Sequence, residues 1–177
     1  YYVGIKFDNP DNQLDIEFMS NQWYWGNLDS NFSDPDIAAS GNNVIQFIMT
    51  DYWGDWDIWY GYSQNDGYSW YIWYGGPFTT YGNDMHPAVA MSGNNVYVAW
   101  VTDGDVYVAT EIFGTDTWSS TGALNTVSGS VVAENGTVDV SPWGVVWTDN
   151  RNGNKDIYFW SSATGEVRVT SSPTNEY

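Results

Sequence analysis

Two stretches of the chain, DNPDNQLDIEF at residues 8–18 and DNRNGNKDIYF at residues 149–159, each run eight residues from one Asp to another. Asp8, Asp11 and Asp15 in the first and Asp149 and Asp156 in the second, with asparagines nearby, are hard oxygen donors. Ca²⁺ collects about six to eight such donors from a flexible loop. Neither stretch has the alternating acids and the glycine position of an EF-hand. A second reading has the first Asp capping a turn and the second opening a strand, both through side-chain-to-backbone hydrogen bonds. Shorter hairpins, Asp51 to Asp57 and Asp103 to Asp105, keep the flanking acids with little room for an ion. They favour the structural reading and leave Ca²⁺ as the alternative.

Other chemistry has fewer starting points. His86 is the only histidine and stands before Pro87, where the preceding unit of the chain has Asp34 before Pro35. That placement suits a turn better than a general base. Glycoside hydrolysis needs two carboxylates roughly 5–10 Å apart, and Glu17, Asp84, Glu111 and Asp139 are nominees among 22 acids. No glycine-rich loop precedes a helix, so a phosphate cradle is not expected. The aromatic residues are the remaining candidates. Trp53, Trp56, Trp59 and Trp73 crowd one segment with tyrosines, and flat aromatics beside Asp and Asn suit a carbohydrate or a protein surface. Strand alternation would bury about half of them.

The acids are scarcely opposed. Lys6, Arg151, Lys155 and Arg168 are the only Lys and Arg in 177 residues, and the net charge is −18 although only 15% of residues are charged. This excludes binding to a nucleic-acid backbone as a default. Without cysteine there is neither a disulfide nor a thiolate metal site. No run approaches the roughly 18 apolar residues of a membrane span. The chain opens on Tyr1, which suggests a processed protein or part of a longer one. Asn31-Phe32-Ser33 and Asn135-Gly136-Thr137 fit the short N-glycosylation pattern.

Twelve Trp, 14 Tyr and 7 Phe, cut by many Gly and Asn, predict an all-β fold of short strands. Those strands repeat. Asp15, Asp57, Asp105 and Asp156 each begin the same short pattern, at spacings of 42, 48 and 51 residues. PDIAASGNNV at 35–44 returns as PAVAMSGNNV at 87–96. Strands are expected at 36–39, 44–50, 57–62 and 70–74, then 88–91, 96–101, 106–110 and 117–120, then 138–140, 144–148, 156–161 and 167–170. The first unit offers three, near 2–7, 15–19 and 24–28. Four-stranded units of this length describe a β-propeller of about four blades, approximately 1–33, 34–85, 86–136 and 137–177, in one domain.

The stretch VVWTDNRNGNKDIYFWSSATGEVRVTSSPTNEY, residues 145–177, resembles a blade of the TolB-like propellers, with Asp149, Arg151, Gly153, Asn154, Asp156, Ile157 and Tyr158 at the positions of their repeat hairpin. SQNDGYSW, residues 63–70, is similar to the Asp-box of sialidase-like propellers, with Asn65 in place of Asp and Ser69 in place of Thr. The second resemblance implies a structural role for Ser63, Asn65, Asp66 and Gly67 on the blade rim. A sialidase would further need three arginines on the substrate carboxylate, and the chain has two. The expectation is a non-catalytic extracellular or cell-surface module that binds carbohydrate or protein or serves in assembly. The alternative is a glycoside-acting propeller enzyme or part of one. The first unit starts at its second strand, so the chain is expected to be part of a larger propeller, a four-bladed ring, or an open arc completed by another copy through its terminal strands.

Overall fold

The computed structural model of the protein describes residues 32–51, 54–72, 78–79 and 82–176. They form three antiparallel four-stranded meanders and no helix. The first comprises β1 (Phe32–Ser40), β2 (Asn43–Thr50), β3 (Asp57–Ser63) and β4 (Tyr71–Ile72). The second comprises β5 (Asp84–Ser92), β6 (Asn95–Thr102), β7 (Asp105–Ile112) and β8 (Ser119–Ser120). The third comprises β9 (Val138–Ser141), β10 (Gly144–Asp149), β11 (Asp156–Ser161) and β12 (Gly165–Arg168). The repeated SGNN becomes the β1–β2 and β5–β6 turns, where Gly41 (φ 59°) and Gly93 (φ 57°) take the left-handed first turn position that closes a two-residue hairpin. The strands expected near 2–7, 15–19 and 24–28 lie outside the described residues.

Three strand starts differ from expectation for identifiable reasons. β1 and β5 begin earlier, at Phe32 and Asp84, because each passes through a bulge that the Asp34-Pro35 and His86-Pro87 pairs had suggested was a strand entry. Proline gives the ladder no amide, so pairing slips by one residue and then resumes. β12 comes two residues early: the chain turns at Thr164-Gly165, and Val169 and Thr170 already belong to the outgoing connection.

The first sheet packs one face on the second, and the second packs its opposite face on the third. Phe47, Ile58 and Tyr60 of the first pack on Val96, Val98 and Trp100 of the second. Ala99, Val101, Val106 and Val108 of the second in turn pack on Val145, Trp147 and Tyr158 of the third. Here the face toward the next sheet is called forward. Trp100 and Trp147 fill the same backward position, and each indole N–H donates to the residue two places on, Thr102 Oγ1 at 3.0 Å and Asp149 Oδ2 at 3.2 Å. In the first seam Phe47, Tyr60, Phe78 and Trp118 form a ring cluster with centroids 4.8–5.9 Å apart. Most of the aromatic side chains among the described residues therefore pack between sheets.

The connections repeat as closely as the strands. After each fourth strand the chain returns along the start of the third, where Phe78 N donates to Ile58 O, Leu124 N to Val106 O and Val169 N to Ile157 O. The same third-strand residue donates back to a side chain: Ile58 N to Thr79 Oγ1, Val106 N to Asn125 Oδ1 and Ile157 N to Thr170 Oγ1. The return path then enters the next unit through Asp84 N to Trp56 O and Val131 N to Gly104 O. This is how the irregular stretch from Thr121 to Gly136 is held.

Hairpin side chains are equally committed. Gly67 N and Asn65 N donate to Ser63 Oγ, Ser69 N donates to Asn65 Oδ1, and Trp70 Nε1 donates to Gly67 O. In the third sheet Asp149 is fully buried and accepts from Ser130 Oγ, Trp147 Nε1 and the Arg151 guanidinium, which also reaches Glu166 and lies 4.2 Å over the Tyr158 ring. Burial alone would raise the Asp149 pKa, but Arg151 and the other donors outweigh it and hold the carboxyl below its ordinary value. Replacing Arg151 by Met should leave that carboxylate buried and uncompensated, at a cost of about 3–5 kcal/mol near neutral pH. The depressed pKa means this contribution is present above the ordinary carboxylate range and lost as pH falls through it. Urea unfolding of R151M and the native chain at pH 7 and pH 3 should show the gap narrowing at the lower pH, and an equal gap at both would refute this account.

Candidate functional site

β1, β5 and β9 are the neighbouring first strands of the three sheets, and their starts enclose a cleft of about 400 Å³. Asp34, Asp36, His86, Asn135 and Asp139 line it. The two bulges aim Asp34 and His86 at each other. Both residues are left-handed, with φ of 46° and 56°, a conformation uncommon for any residue but glycine. His86 Nδ1 pairs with Asp34 Oδ2, with the side chains only 12% and 13% exposed. Asp34 Oδ1 accepts from Asn135 Nδ2 at 2.9 Å and from Ser33 Oγ at 3.2 Å. One carboxylate thus ties the first sheet to the second and to the connection that leads into the third.

The remaining acids of the cleft are differently placed. Asp36 accepts from Ile37 N at 2.9 Å through one oxygen and from Val89 N at 2.7 Å through the other. Asp139 is exposed and accepts from Val140 N at 2.8 Å. Asp34 and Asp36 therefore have both oxygens occupied, and Asp139 alone keeps one without a partner among the described residues. Such a cleft can offer hydrogen bonds to a polar ligand from the His86 ring, the Asn135 amide and Asp139. It does not present two free carboxylates.

The other nominated acids do not converge here. Asp84 is buried at the seam of the first and second sheets, where the Thr102 hydroxyl donates to it and Asp57 lies near. Burial raises the pKa of Asp84, and burial with neighbouring Asp55 and Asp84 pushes Asp57 up to about 6. Glu111 is buried at the far end of β7, and Glu17 lies outside the described residues. Asp8, Asp11, Asp15, Trp53 and Trp73 also lie outside them. Trp56 and Trp59 are half-buried, while the exposed aromatics among the described residues are Tyr68, Tyr71 and Trp143. Asp149 answers Arg151, and Asp156 accepts from Asn152, Asn154 and Arg168, whose donors hold its pKa below the ordinary value. Among the described residues no three His, Asp or Glu side chains converge as a metal site.

Sequence reasoning nominated Asp139 and weighed His86, but passed over Asn135 except as a glycosylation pattern. The detectable signal was the repeat itself, since Asp34 and His86 stand at one repeat position and face one axis.

No protein-family model and no characterised protein sequence matches the chain. Solved structures do match. A family 117 glycoside hydrolase produced by the marine bacterium Zobellia galactanivorans superimposes with a TM-score of 0.54 at 12% identity, covering 81% of this chain and 56% of that one. TolB from Acinetobacter baumannii gives 0.50 at 12% identity, covering 82% of this chain and 34% of that one. The catalytic domain of a GH62 α-L-arabinofuranosidase from Coprinopsis cinerea gives 0.49 at 16%, covering 81% and 52%. The described residues are blades of a β-propeller. The chain spans about half or less of each of these neighbours, and likeness at such identity concerns the fold alone. No helix among the described residues is long and apolar enough to cross a membrane.

Glu111 supplies a pH signature that lies away from the cleft. Burial, then the Asp116 charge, pushes its pKa from 4.5 up to about 7, although the amides of Thr117, Gly114 and Asp116 oppose the shift. None of those amides closes to a normal hydrogen bond with the carboxylate. A raised pKa stabilises the fold fully below the unfolded value and loses that contribution as pH rises through the folded one. The window is therefore about pH 4.5 to 7. The E111Q variant should melt above the native chain at pH 8, with the difference closing toward pH 5. A difference independent of pH in differential scanning calorimetry would refute the assignment.

Proposed function

We propose that the chain is a non-catalytic propeller module that binds carbohydrate in its axial cleft, at the cell surface or outside the cell. The observation that carries this reading is the state of the cleft's acids. Asp34 and Asp36 are occupied by His86, Asn135, Ser33 and backbone amides, so the described cleft offers donors and acceptors without an acid–base pair. Hydrogen bonds of that kind suit sugar hydroxyls, and a preorganised polar wall limits the ordering cost of binding. The TolB-like hairpin at 149–158 and the Asp-box-like hairpin at 63–70 support a propeller whose rims are locked while its axis is free to take a ligand. Glycoside action by a neighbouring fold supports the substrate class.

A second reading, glycoside hydrolysis, is favoured by one feature, the exposed Asp139 on the cleft wall. The two separate experimentally. The native chain should bind an oligosaccharide on a glycan array without cleaving it, and H86A and N135A should each weaken binding about tenfold, the loss of one or two hydrogen bonds. Release of reducing sugar that is abolished in D139N would overturn the binding reading in favour of the enzyme. Unchanged binding in both cleft variants would place the ligand elsewhere.

A further inference from the structure

Asn-Gly occurs twice in the chain, at 135–136 and 152–153. In this dipeptide an asparagine amide is open to attack by the next backbone nitrogen, because glycine has no side chain to crowd that nitrogen or to restrict its backbone angles. The two pairs share a sequence and differ in what holds them. At Asn152 both reacting groups are committed. Its Nδ2 donates to Asp156 Oδ2 and to the Tyr158 hydroxyl, each at 2.9 Å, and Gly153 N donates to Asn150 O at 3.0 Å. Asp156 and Tyr158 are buried on β11, so the leaving amide is fixed to a rigid strand and the attacking nitrogen to its own turn.

Asn135 is placed differently. Asn135 and Gly136 are the central residues of a turn that Thr137 N closes on Glu134 O at 3.1 Å, and Gly136 has a φ of 74°, the left-handed value of a type II turn. Both residues are exposed. The turn is anchored on either side, where Thr137 Oγ1 donates to Val132 O at 2.6 Å and Lys155 Nζ pairs with Glu134 at 2.8 Å. Between those anchors Gly136 N has no acceptor among the described residues, and Asn135 Nδ2 has one, Asp34 Oδ1.

We propose that Asn135 is a self-modifying site, at which the chain exchanges an amide for a carboxylate inside the axial cleft. Gly136 N gives up its proton to solvent and bonds to Asn135 Cγ, the Cγ–Nδ2 bond breaks, and ammonia leaves. Water then opens the cyclic imide at either carbonyl, to aspartate or to isoaspartate. An amide and a water become a carboxylate and an ammonium, and nothing is oxidised or reduced. The change falls on the cleft: Asp34 Oδ1 loses the donor it had at 2.9 Å and faces a second carboxylate. On the isoaspartate branch the turn before β9 also gains a backbone carbon. Under the carbohydrate-binding reading, a sugar taken up through the Asn135 amide would then meet a negative charge; the conversion itself does not depend on that reading.

The second Asn-Gly pair is an internal control. Protein made without glycosylation is held in mildly alkaline buffer and digested with trypsin and Glu-C, whose cuts after Glu134 and Arg151 separate the two sites. Mass spectrometry follows each amide becoming an acid, and labelling by isoaspartyl methyltransferase reports the isoaspartate. In the folded chain Asn135 should convert about tenfold faster than Asn152 or more, a rate ratio equivalent to roughly one hydrogen bond. In guanidinium chloride the two sites should convert at similar rates, since only the shared dipeptide then acts. Equal rates at the two sites of the folded chain would overturn the proposal. So would an Asn135 that converts only after unfolding.

Discussion

The packing of one sheet's forward face on the next sheet's backward face is the interaction on which the rest of this structure depends. A four-stranded meander of this size has one apolar face too many to be stable alone. Burying a large side chain contributes about 1.5–3 kcal/mol, and each seam collects several. Phe47, Ile58 and Tyr60 are covered by the second sheet together with Phe78 and Trp118, and Ala99, Val106 and Val108 by the third together with Leu124 and Val131. The inner strands lie side by side as a consequence, and the cleft is what remains between their starts. The site is thus a by-product of blade packing, and its residues are placed by the same bulges that end the ladder.

Polar groups at the seams are neutralised by three different means at one repeat position. Asp156 has Arg168 with Asn152 and Asn154; Asp105 has Asn125, Ser128 and the amide of Gly129. Asp57 is instead buried beside Asp55 and Asp84, which raises its pKa to about 6, so that a proton neutralises it once the solution is mildly acidic. A chain with four cations cannot put one at every buried acid, so hydrogen-bond donors and protons take their place. Burying an ionised group without such a partner would cost several kcal/mol. Acidity at the surface and economy of cations inside are two aspects of the same composition.

Period-two alternation and the recurring Asp made the sheets legible in the sequence, and SGNN fixed two hairpins. The return paths were not legible, because Thr79, Asn125 and Thr170 share a role without sharing a residue type, and the sequence between the fourth strand and the next unit varies in length. The expected turn at His86 is instead a bulge within β5, and alignment with Asp34 implied more than either. Residues at one repeat position in successive blades face one axis, so two of opposite chemistry there meet. Trp56 and Trp59 show the converse: aromatic richness does not separate surface from seam, since Trp100 and Trp147 are equally aromatic and buried.

A carboxylate that joins two sheets and the connection into a third has a mechanical consequence for whatever the cleft holds. Asp34 can satisfy His86, Asn135 and Ser33 together only while the first strands keep their present spacing. A ligand competing for His86 or Asn135 therefore acts on blade spacing as well as on a single side chain. The forward row of the third sheet starts at Asp139 on the same cleft wall and ends at Val167. Cover of that face and occupancy of the cleft then bear on one strand, β9, from its two sides. Through Asp139, the forward face of the third sheet and the axial cleft are parts of the same structural element.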